Sequence, residues 1–292
     1  MTTKGILLST VLAAIIIAVV FYWSSFVDFS YELNEFKSIA DQILIKEVTE
    51  IKDEIEKGIY TPPPLRAEKE SYNSFLTQEG VLGQTNSHRA ENNLKPLVIN
   101  NQLSHAASLK INNMLQGQYF GHISPEGLGP DYWIENAGYE YILIGENLAL
   151  GNFENDKELV QAWMDSPGHR ANILNDKYTE IGIAVSSGIF EGKETWLAVQ
   201  TFGLPLSVCP EPDASLKNQL ESMSLQLEAL KSRIDELKQN IEQSDRKSPE
   251  YNQMISEYNV LVAQYNSIVA GFKNRVAEYN NQVAVFNQCV SK

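Results

Sequence analysis

The sequence is poor in positive charge, and this scarcity limits its partners. It has 23 lysine and arginine residues against 37 aspartate and glutamate residues, a formal net charge of -14 at pH 7. Such a chain repels phosphate backbones and anionic lipid surfaces, and it has no basic footprint for nucleic acid. The composition therefore argues against nucleic-acid binding.

The chain also lacks a G-x-S-x-G nucleophile elbow and has only four histidines. Without the elbow, Ser124 and Ser166 are better explained as caps than as nucleophiles. Two of the four histidines, His122 and His169, stand beside a Ser-Pro pair, in GHISPEG and DSPGHR. The other two lie in predicted helices without a carboxylate at metal-ligand spacing, so we expect them to be solvated or structural.

Residues 5–23 contain no charged side chain. At roughly 1.5 Å per residue, a helix of this length approaches the roughly 30 Å hydrocarbon thickness of a bilayer. The rival interpretation is a signal peptide, but its short apolar region and small-residue cleavage site are missing. The run therefore predicts an uncleaved single-pass anchor in residues 1–24. Lys4 before it, with Asp28 and Glu32 after it, places the N-terminus in the cytoplasm and the rest of the chain outside.

Residues 25–65 follow as a predicted helical stalk that ends in TPPPL. The three prolines lack amide hydrogens and favour an extended chain, so they predict a stiff spacer. The globular domain is expected over residues 72–206. Helical patterns cover residues 86–93, 102–117 and 156–164, and two strand patterns, at residues 181–187 and 195–202, predict a β-hairpin.

A heptad pattern fills residues 210–290, interrupted only by QSDRKSPE. Two long helices with a short polar connector predict an antiparallel hairpin or coiled coil, although pairing between molecules satisfies the same stripes. Folding back brings Cys209 and Cys289 together, so we expect a disulfide between them rather than two free thiols. The apolar positions are Leu216, Leu220, Met223, Leu227, Leu230, Ile234, Leu237, Ile241, Tyr251, Met254, Tyr258, Leu261, Tyr265, Ile268, Phe272, Val276, Tyr279, Val283 and Phe286.

Six segments follow one another between residues 76 and 204: NSHRAENNLKPL, GHISPEG, GENLALG, AWMDSPGHRANIL, YTEIGIAV and TWLAVQTFG. Together they resemble the bacterial branch of the CAP superfamily, also called the SCP or PR-1-like domain. The resemblance implies an α+β fold, the α-β-α sandwich of that superfamily. It also implies a cleft lined by two histidines and two acidic residues.

The positions that match this cleft are His122, Glu146 and His169. The second acid of the family usually stands three residues after the tryptophan matched by Trp163, where this chain has Ser166, with Asp165 alongside. Asp165 is therefore the candidate fourth ligand or base. Two imidazoles and one carboxylate with an open position suit zinc or another divalent metal, which would polarise a bound water.

Three functions stay open at this point. The domain is either a binding module for a metal, lipid or peptide, or a metal-assisted hydrolase of the peptidase kind that uses the same cleft. The third alternative is a structural envelope protein that contacts itself or another envelope protein through its C-terminal helices. CAP domains are associated with lipid binding, protein interaction and disputed protease activity, and fold alone does not choose among them.

Overall fold

The computed structural model describes residues 57–291, which form two compact units. One unit comprises residues 57–210 with residues 288–291, and the other comprises residues 211–287. The predicted anchor at residues 5–23 and most of the predicted stalk lie outside the described residues. Between residues 57 and 291, no helix combines the length and the apolar character that a membrane span needs.

The first unit is a mixed α/β domain with one six-stranded sheet. Its strands are β1 (Gly58–Tyr60), β2 (Leu65–Arg66), β3 (Val98–Ile99), β4 (Tyr141–Leu150), β5 (Glu180–Phe190) and β6 (Lys193–Pro205). Its helices are α1 (Gln78–Glu91), α2 (Asn101–Gly117), α3 (Pro130–Asn136), α4 (Asp156–Asp165) and α5 (Pro167–Ile173), and a 3-10 turn follows at Leu206–Val208.

The sheet order is β1-β4-β6-β5-β3, and β2 continues β1 along β4. Strand β6 is antiparallel to both β4 and β5, whereas β1 and β2 are parallel to β4. All ten residues of β4 are buried. This strand therefore has a helical layer over each of its faces.

Helices α1, α4 and α5 cover one face of the sheet, where Val81, Trp163 and Ile173 pack with Phe202. Helices α2 and α3 cover the other face, where the buried side chains include Met114 and Trp133. Apolar residues are separated from water on both sides of the sheet, which makes this a three-layer α-β-α arrangement.

The strand patterns correspond to β5 and β6, which pair in register from Glu180↔Gly203 to Phe190↔Lys193. The helical patterns correspond to α1, α2 and α4, although α1 starts earlier than expected because Thr77 caps it by accepting from the amide of Gly80. Helix α5 begins at Pro167, after the expected cap residue Ser166, whereas strand β4 and helix α3 have no counterpart among the expected elements. A strand buried on both faces lacks the period-two alternation that sequence patterns detect.

Residues 57–66, here named the strap, differ most from expectation. Their sequence predicted the end of a helical stalk followed by a stiff spacer, but β1 pairs with Leu143–Gly145 and β2 pairs with Ala149–Leu150. Residues 61–64 between them leave β4 unpaired on this side at residues 146–148. The prolines fit here because they lie between the two short strands, where no ladder amide is needed.

The second unit is an antiparallel pair of helices, α6 (Ala214–Gln243) and α7 (Pro249–Val290). Arg233 donates to Glu257 near the connector, and the amide of Asp213 donates to Gln282 near the opposite end. Both contacts require the helices to run in opposite directions. The buried side chains between them follow the expected seam except that Val269 is also buried, and they are Leu216, Leu220, Leu227, Ile234, Leu261, Tyr265, Val269, Phe272 and Val276.

A disulfide joins Cys209, which precedes α6, to Cys289 near the end of α7. The two cysteines are 80 residues apart in sequence. Closing a loop of this size stabilises a fold by about 4 kcal/mol in the chain-entropy model. Self-association through these helices stays a prediction.

Candidate functional site

The site begins with the alternation of side chains along β4. Leu143 and Ala149 point to the face covered by α1, α4 and α5, whereas Ile144 and Leu148 point to the other face. Glu146 shares the second face and Asn147 the first, because successive side chains of a strand alternate. Glu146 and Asn147 therefore face different helical layers. Both lie where the strap leaves the edge of β4 unpaired.

His122 approaches this edge from the loop after α2. Its turn is closed by Ser124, whose hydroxyl accepts hydrogen bonds from the amides of Glu126 and Leu128, both at 3.2 Å. Lys110 of α2 is fully buried and donates to the carbonyl oxygen of His122 at 2.7 Å. Burial lowers the pKa of Lys110, and the nearby Glu146 carboxylate raises it. This buried ammonium group holds the main chain that carries the imidazole.

The imidazole of His122 has a partner at each nitrogen. Nδ1 lies 2.6 Å from Oε1 of Glu146, and Nε2 lies 2.5 Å from the carbonyl oxygen of Pro62 in the strap. A carbonyl oxygen can only accept, so Nε2 carries a hydrogen. Nδ1 shares a further hydrogen with the carboxyl group of Glu146. Since the Glu146 side chain is only 3% exposed, water cannot replace this contact.

His169 lies on the first turn of α5 and is almost completely buried. Its Nδ1 is 2.8 Å from the hydroxyl of Ser166, and its Nε2 is buried without a hydrogen-bond partner. Burial lowers the pKa of His169 to about 4, and the proximity of His122 contributes to the lowering. His169 is therefore a neutral imidazole near neutral pH, with one ring nitrogen unused.

Ser166 occupies the helix start that its sequence predicts, but its side chain makes no cap hydrogen bond. The hydroxyl binds His169 instead. Asp165, the candidate fourth ligand, is exposed and accepts a hydrogen bond from Gln161 on its own helix. The structure thus brings His122, Glu146 and His169 to one edge of β4, with Ser166 behind His169, and it does not bring Asp165 to them.

Two asparagines that were not singled out in the sequence complete the site. The amide nitrogen of Asn172 donates to the carbonyl oxygen of Tyr60 in the strap at 3.2 Å and to Oδ1 of Asn147 at 3.0 Å. Asn147 in turn donates to the carbonyl oxygen of His169 and to Gln200 of β6. This buried network fixes α5 against β4, and it directs one N–H of Asn172 at the strap.

Arg89 of α1 positions α5 from its other end. The guanidinium is buried and donates to the carbonyl oxygens of Ile173 and Asn175, both at 2.8 Å. These carbonyls lie at the end of α5 and just beyond it, where carbonyl groups lack helical partners. Arg89 therefore acts as a buried cap, and the NSHRAE segment contributes structure rather than chemistry.

The arrangement does not fit the metal centre expected from the sequence. A divalent metal needs a lone pair on an imidazole nitrogen, but both nitrogens of His122 are already hydrogen-bonded. Nδ1 of His169 is bound to Ser166, which leaves Nε2 of His169 as the one ring nitrogen of the two histidines without a hydrogen-bond partner. In the part of the chain from residue 57 to residue 291, no group of three or more histidine, cysteine, aspartate or glutamate side chains is placed to hold a metal ion.

Comparison with known proteins identifies the domain. Residues 82–202 match the family model described as CAP: Cysteine-rich secretory protein family. Two proteins of Bacillus subtilis (strain 168) are similar: "Uncharacterized protein YkwD", 41% identical over 112 residues, and "Uncharacterized membrane protein YlbC", 27% identical over 124 residues. The matches cover 38% and 42% of this chain, and 43% and 36% of the two relatives.

Two solved structures are also similar. One is an extracellular protein containing an SCP domain from Bacillus anthracis, at 26% identity and a TM-score of 0.37, which covers 43% of this chain and 39% of that one. The other is an outer surface protein from Borrelia burgdorferi, at 22% identity and a TM-score of 0.38, which covers 45% of this chain and 97% of that one.

Proposed function

Since residues 82–202 form a domain of the CAP superfamily, we propose that this domain is a binding module whose cleft holds a ligand through the N–H of His122. One observation carries the proposal: Nε2 of His122 donates to a carbonyl oxygen while Glu146 holds the other ring nitrogen. In this state the imidazole presents a hydrogen-bond donor. A general base or a metal ligand needs a lone pair at the same place.

The carboxyl group of Glu146 gives the imidazole its donor character. It is buried and lies 2.6 Å from Nδ1, so it fixes the ring in the orientation that presents the Nε2–H. A donor that is held in place in this way loses little freedom when it binds an acceptor. The cleft therefore suits ligands that offer a carbonyl or another acceptor oxygen.

We place the module on the outer side of the cell membrane. Support comes from the predicted anchor at residues 5–23 and from the disulfide between Cys209 and Cys289, since such bonds persist in oxidising compartments. An anchored binding module of this kind would hold its ligand close to the membrane surface.

The test uses Gly168→Ala, because a Cβ at residue 168 would lie 2.7 Å from Cβ of Pro62 and would displace the strap from His122. The probe is N,N-dimethylacetamide, an amide that accepts hydrogen bonds and donates none. The full-length protein is labelled with 15N-histidine, which gives signals from only four residues. We expect saturable shifts at His122 in Gly168→Ala and none at the exposed His105.

Gly83→Ala is the matched control, because a Cβ at residue 83 of α1 meets no atom within 4 Å. It should behave as the wild type does. If Gly168→Ala opens the strap and the His122 signals still ignore the amide, the cleft is not a donor site. If the domain is instead a metal-assisted hydrolase, Gly168→Ala should cleave a fluorogenic peptide in the presence of zinc. Adding His122→Phe to this variant should abolish the cleavage.

A further inference from the structure

The strap is bound to the domain in the manner of a peptide ligand. Its two short strands add to the free edge of β4 on either side of Glu146, with Gly58 opposite Leu143 and Arg66 opposite Leu150. Strand addition to a sheet edge is a general mode of peptide recognition, in which main-chain hydrogen bonds supply affinity. The strap thus occupies a surface that an external chain can occupy in the same way.

Two side chains of the domain recognise main-chain carbonyls of the strap. Asn172 donates to the carbonyl oxygen of Tyr60, and His122 donates to that of Pro62. These carbonyls are two residues apart, the spacing at which an extended chain directs successive carbonyls to the same side. Both contacts read the backbone of an extended polypeptide rather than any particular side chain.

One proline supplies the shape-specific contact. Pro62 is the only buried residue between residues 57 and 66, and its ring lies against Gly168, whose missing side chain makes the space. A proline at this point loses little entropy on binding, because its φ is already fixed. Ile59 and Tyr60 are 42% and 54% exposed, so the rest of the strap buries little apolar surface.

Charged residues hold the two ends of the strap. Lys57 lies 2.7 Å from Glu135 of α3, and the guanidinium of Arg66 lies 5.4 Å from the ring centre of Phe120. The Lys57 and Arg66 side chains are 38% and 55% exposed, so these contacts are weak and exchangeable. Basic residues at both ends also suit a protein with a net charge of -14.

We propose that the edge of β4 at Glu146 is a groove for an extended, proline-containing polypeptide segment with flanking basic residues, and that the strap is its intramolecular occupant. This inference rests on the proposed binding function and names its ligand class. In the closed form an external peptide must displace the strap. Its apparent dissociation constant is therefore the intrinsic constant divided by the fraction of molecules whose strap is open.

The probe is a fluorescein-labelled peptide of residues 57–66, KGIYTPPPLR, titrated against the full-length protein by fluorescence anisotropy. Lys57→Gln/Arg66→Gln should bind this peptide at least threefold more tightly than the wild type or Gly83→Ala, whereas Gly168→Ala should bind it more weakly, because its Cβ closes the place of Pro62 in the groove. Trypsin should also cut Gly168→Ala faster after Lys57 and Arg66. In the Lys57→Gln/Arg66→Gln background, His122→Phe should weaken peptide binding at least fivefold, whereas His105→Phe should leave it unchanged.

The double variant also covers the case in which Gly168→Ala fails to fold. Lys57→Gln/Arg66→Gln alters only exposed side chains of the strap, leaves the groove intact, and should raise peptide affinity at least threefold. Equal, weak binding by every folded variant would overturn the inference and make the strap a fixed part of the sheet. If N,N-dimethylacetamide still shifts His122 in that case, the binding function stands and only its polypeptide ligand is rejected; if neither probe binds, both proposals fail.

Discussion

At one corner of the domain His122 precedes Ser124 and Pro125, and at another His169 follows Ser166 and Pro167. The two corners use the same residue types with different hydrogen bonds. The Ser124 hydroxyl accepts from two backbone amides and leaves the imidazole of His122 free to reach Glu146 and the strap. The Ser166 hydroxyl caps no amide and binds the imidazole of His169 instead.

This difference separates the surroundings of the two histidines. His122 is paired with a carboxyl group, and its Nε2–H donates to the carbonyl oxygen of Pro62 in the strap. His169 is 1% exposed, and its burial disfavours the charged form of the ring. The bonding of the serine hydroxyl thus leaves His122 able to contact Glu146 and the strap, whereas it holds His169 in the interior.

Lys110→Met should produce the largest effect, because it removes the support of the His122 corner. The fully buried ammonium group donates to the carbonyl oxygen of His122 and to the hydroxyl of Tyr119. Leaving these acceptors unpaired should lower the free energy of unfolding by about 3 kcal/mol, measured by urea denaturation of the domain. Lys193→Met, at an exposed position of β6, is the control and should change it by less than about 0.5 kcal/mol.

The same variant tests whether the corner serves the cleft. Lys110→Met should also weaken peptide binding in the Lys57→Gln/Arg66→Gln background, since the His122 main chain loses its anchor. An unfolding free energy within about 1 kcal/mol of the wild type, with peptide binding retained, would show that packing alone holds the corner.

Acid should destabilise the domain through the His169 corner. The pKa of His169 is about 4 in the folded domain against 6.5 for an unperturbed histidine, so the unfolded chain binds the proton first as pH falls. The stability is complete above pH 6.5 and is lost between pH 6.5 and pH 4, by up to about 3 kcal/mol. His169→Leu should remove this part of the pH dependence, as measured by urea midpoints across that range.

His105→Gln is the matched control for the acid experiment, since His105 is exposed on α2. Its pH dependence should be that of the wild type. If His169→Leu keeps the wild-type slope, the acid sensitivity originates in other groups and His169 is not the neutral, sealed imidazole described above.

The two serines give a smaller and more direct comparison. Ser124→Ala removes an acceptor shared by the amides of Glu126 and Leu128 and should cost about 1.5 kcal/mol of unfolding free energy. Ser166→Ala removes one contact with His169 and no cap, so about 0.5 kcal/mol is expected. Both variants remove a serine hydroxyl next to a proline, and thermal unfolding measures the loss of stability in each. An equal or reversed order would mean that the hydroxyls do not distinguish the corners.

How far the sequence predicts the molecule also differs between regions. The helical pair was predictable because its apolar seam repeats locally, and Leu220, Leu227 and Ile234 are buried as the heptads indicate. The hairpin of β5 and β6 was also predictable, because the patterns of its two strands lie close together in the sequence. Strand β4 was not predicted, since apolar residues on both of its faces hide the alternation.

The candidate site was only partly predictable. Motif resemblance selected His122, Glu146 and His169, but it gave no hydrogen-bond partners. Asn172 and Lys110 act through contacts with Tyr60 and His122 that are set by tertiary packing. The strap was hidden because three prolines in sequence indicate an extended chain without indicating what the chain lies against.

Zinc should have the smallest effect, and it tests whether the His122 corner is a donor or a metal ligand. In the wild type, the strap carbonyl and Glu146 occupy both ring nitrogens of His122. About 100 µM zinc should therefore shift the midpoint of thermal unfolding by less than about 1 °C, in the wild type and in His122→Ala alike. A ligand that bound the folded state with a dissociation constant a hundredfold below its concentration would add about 2.7 kcal/mol. A clear rise in the wild type that disappears in His122→Ala would mean that the imidazole exchanges its N–H for a lone pair, and a metal-assisted hydrolase would then replace the binding module as the better explanation of this cleft.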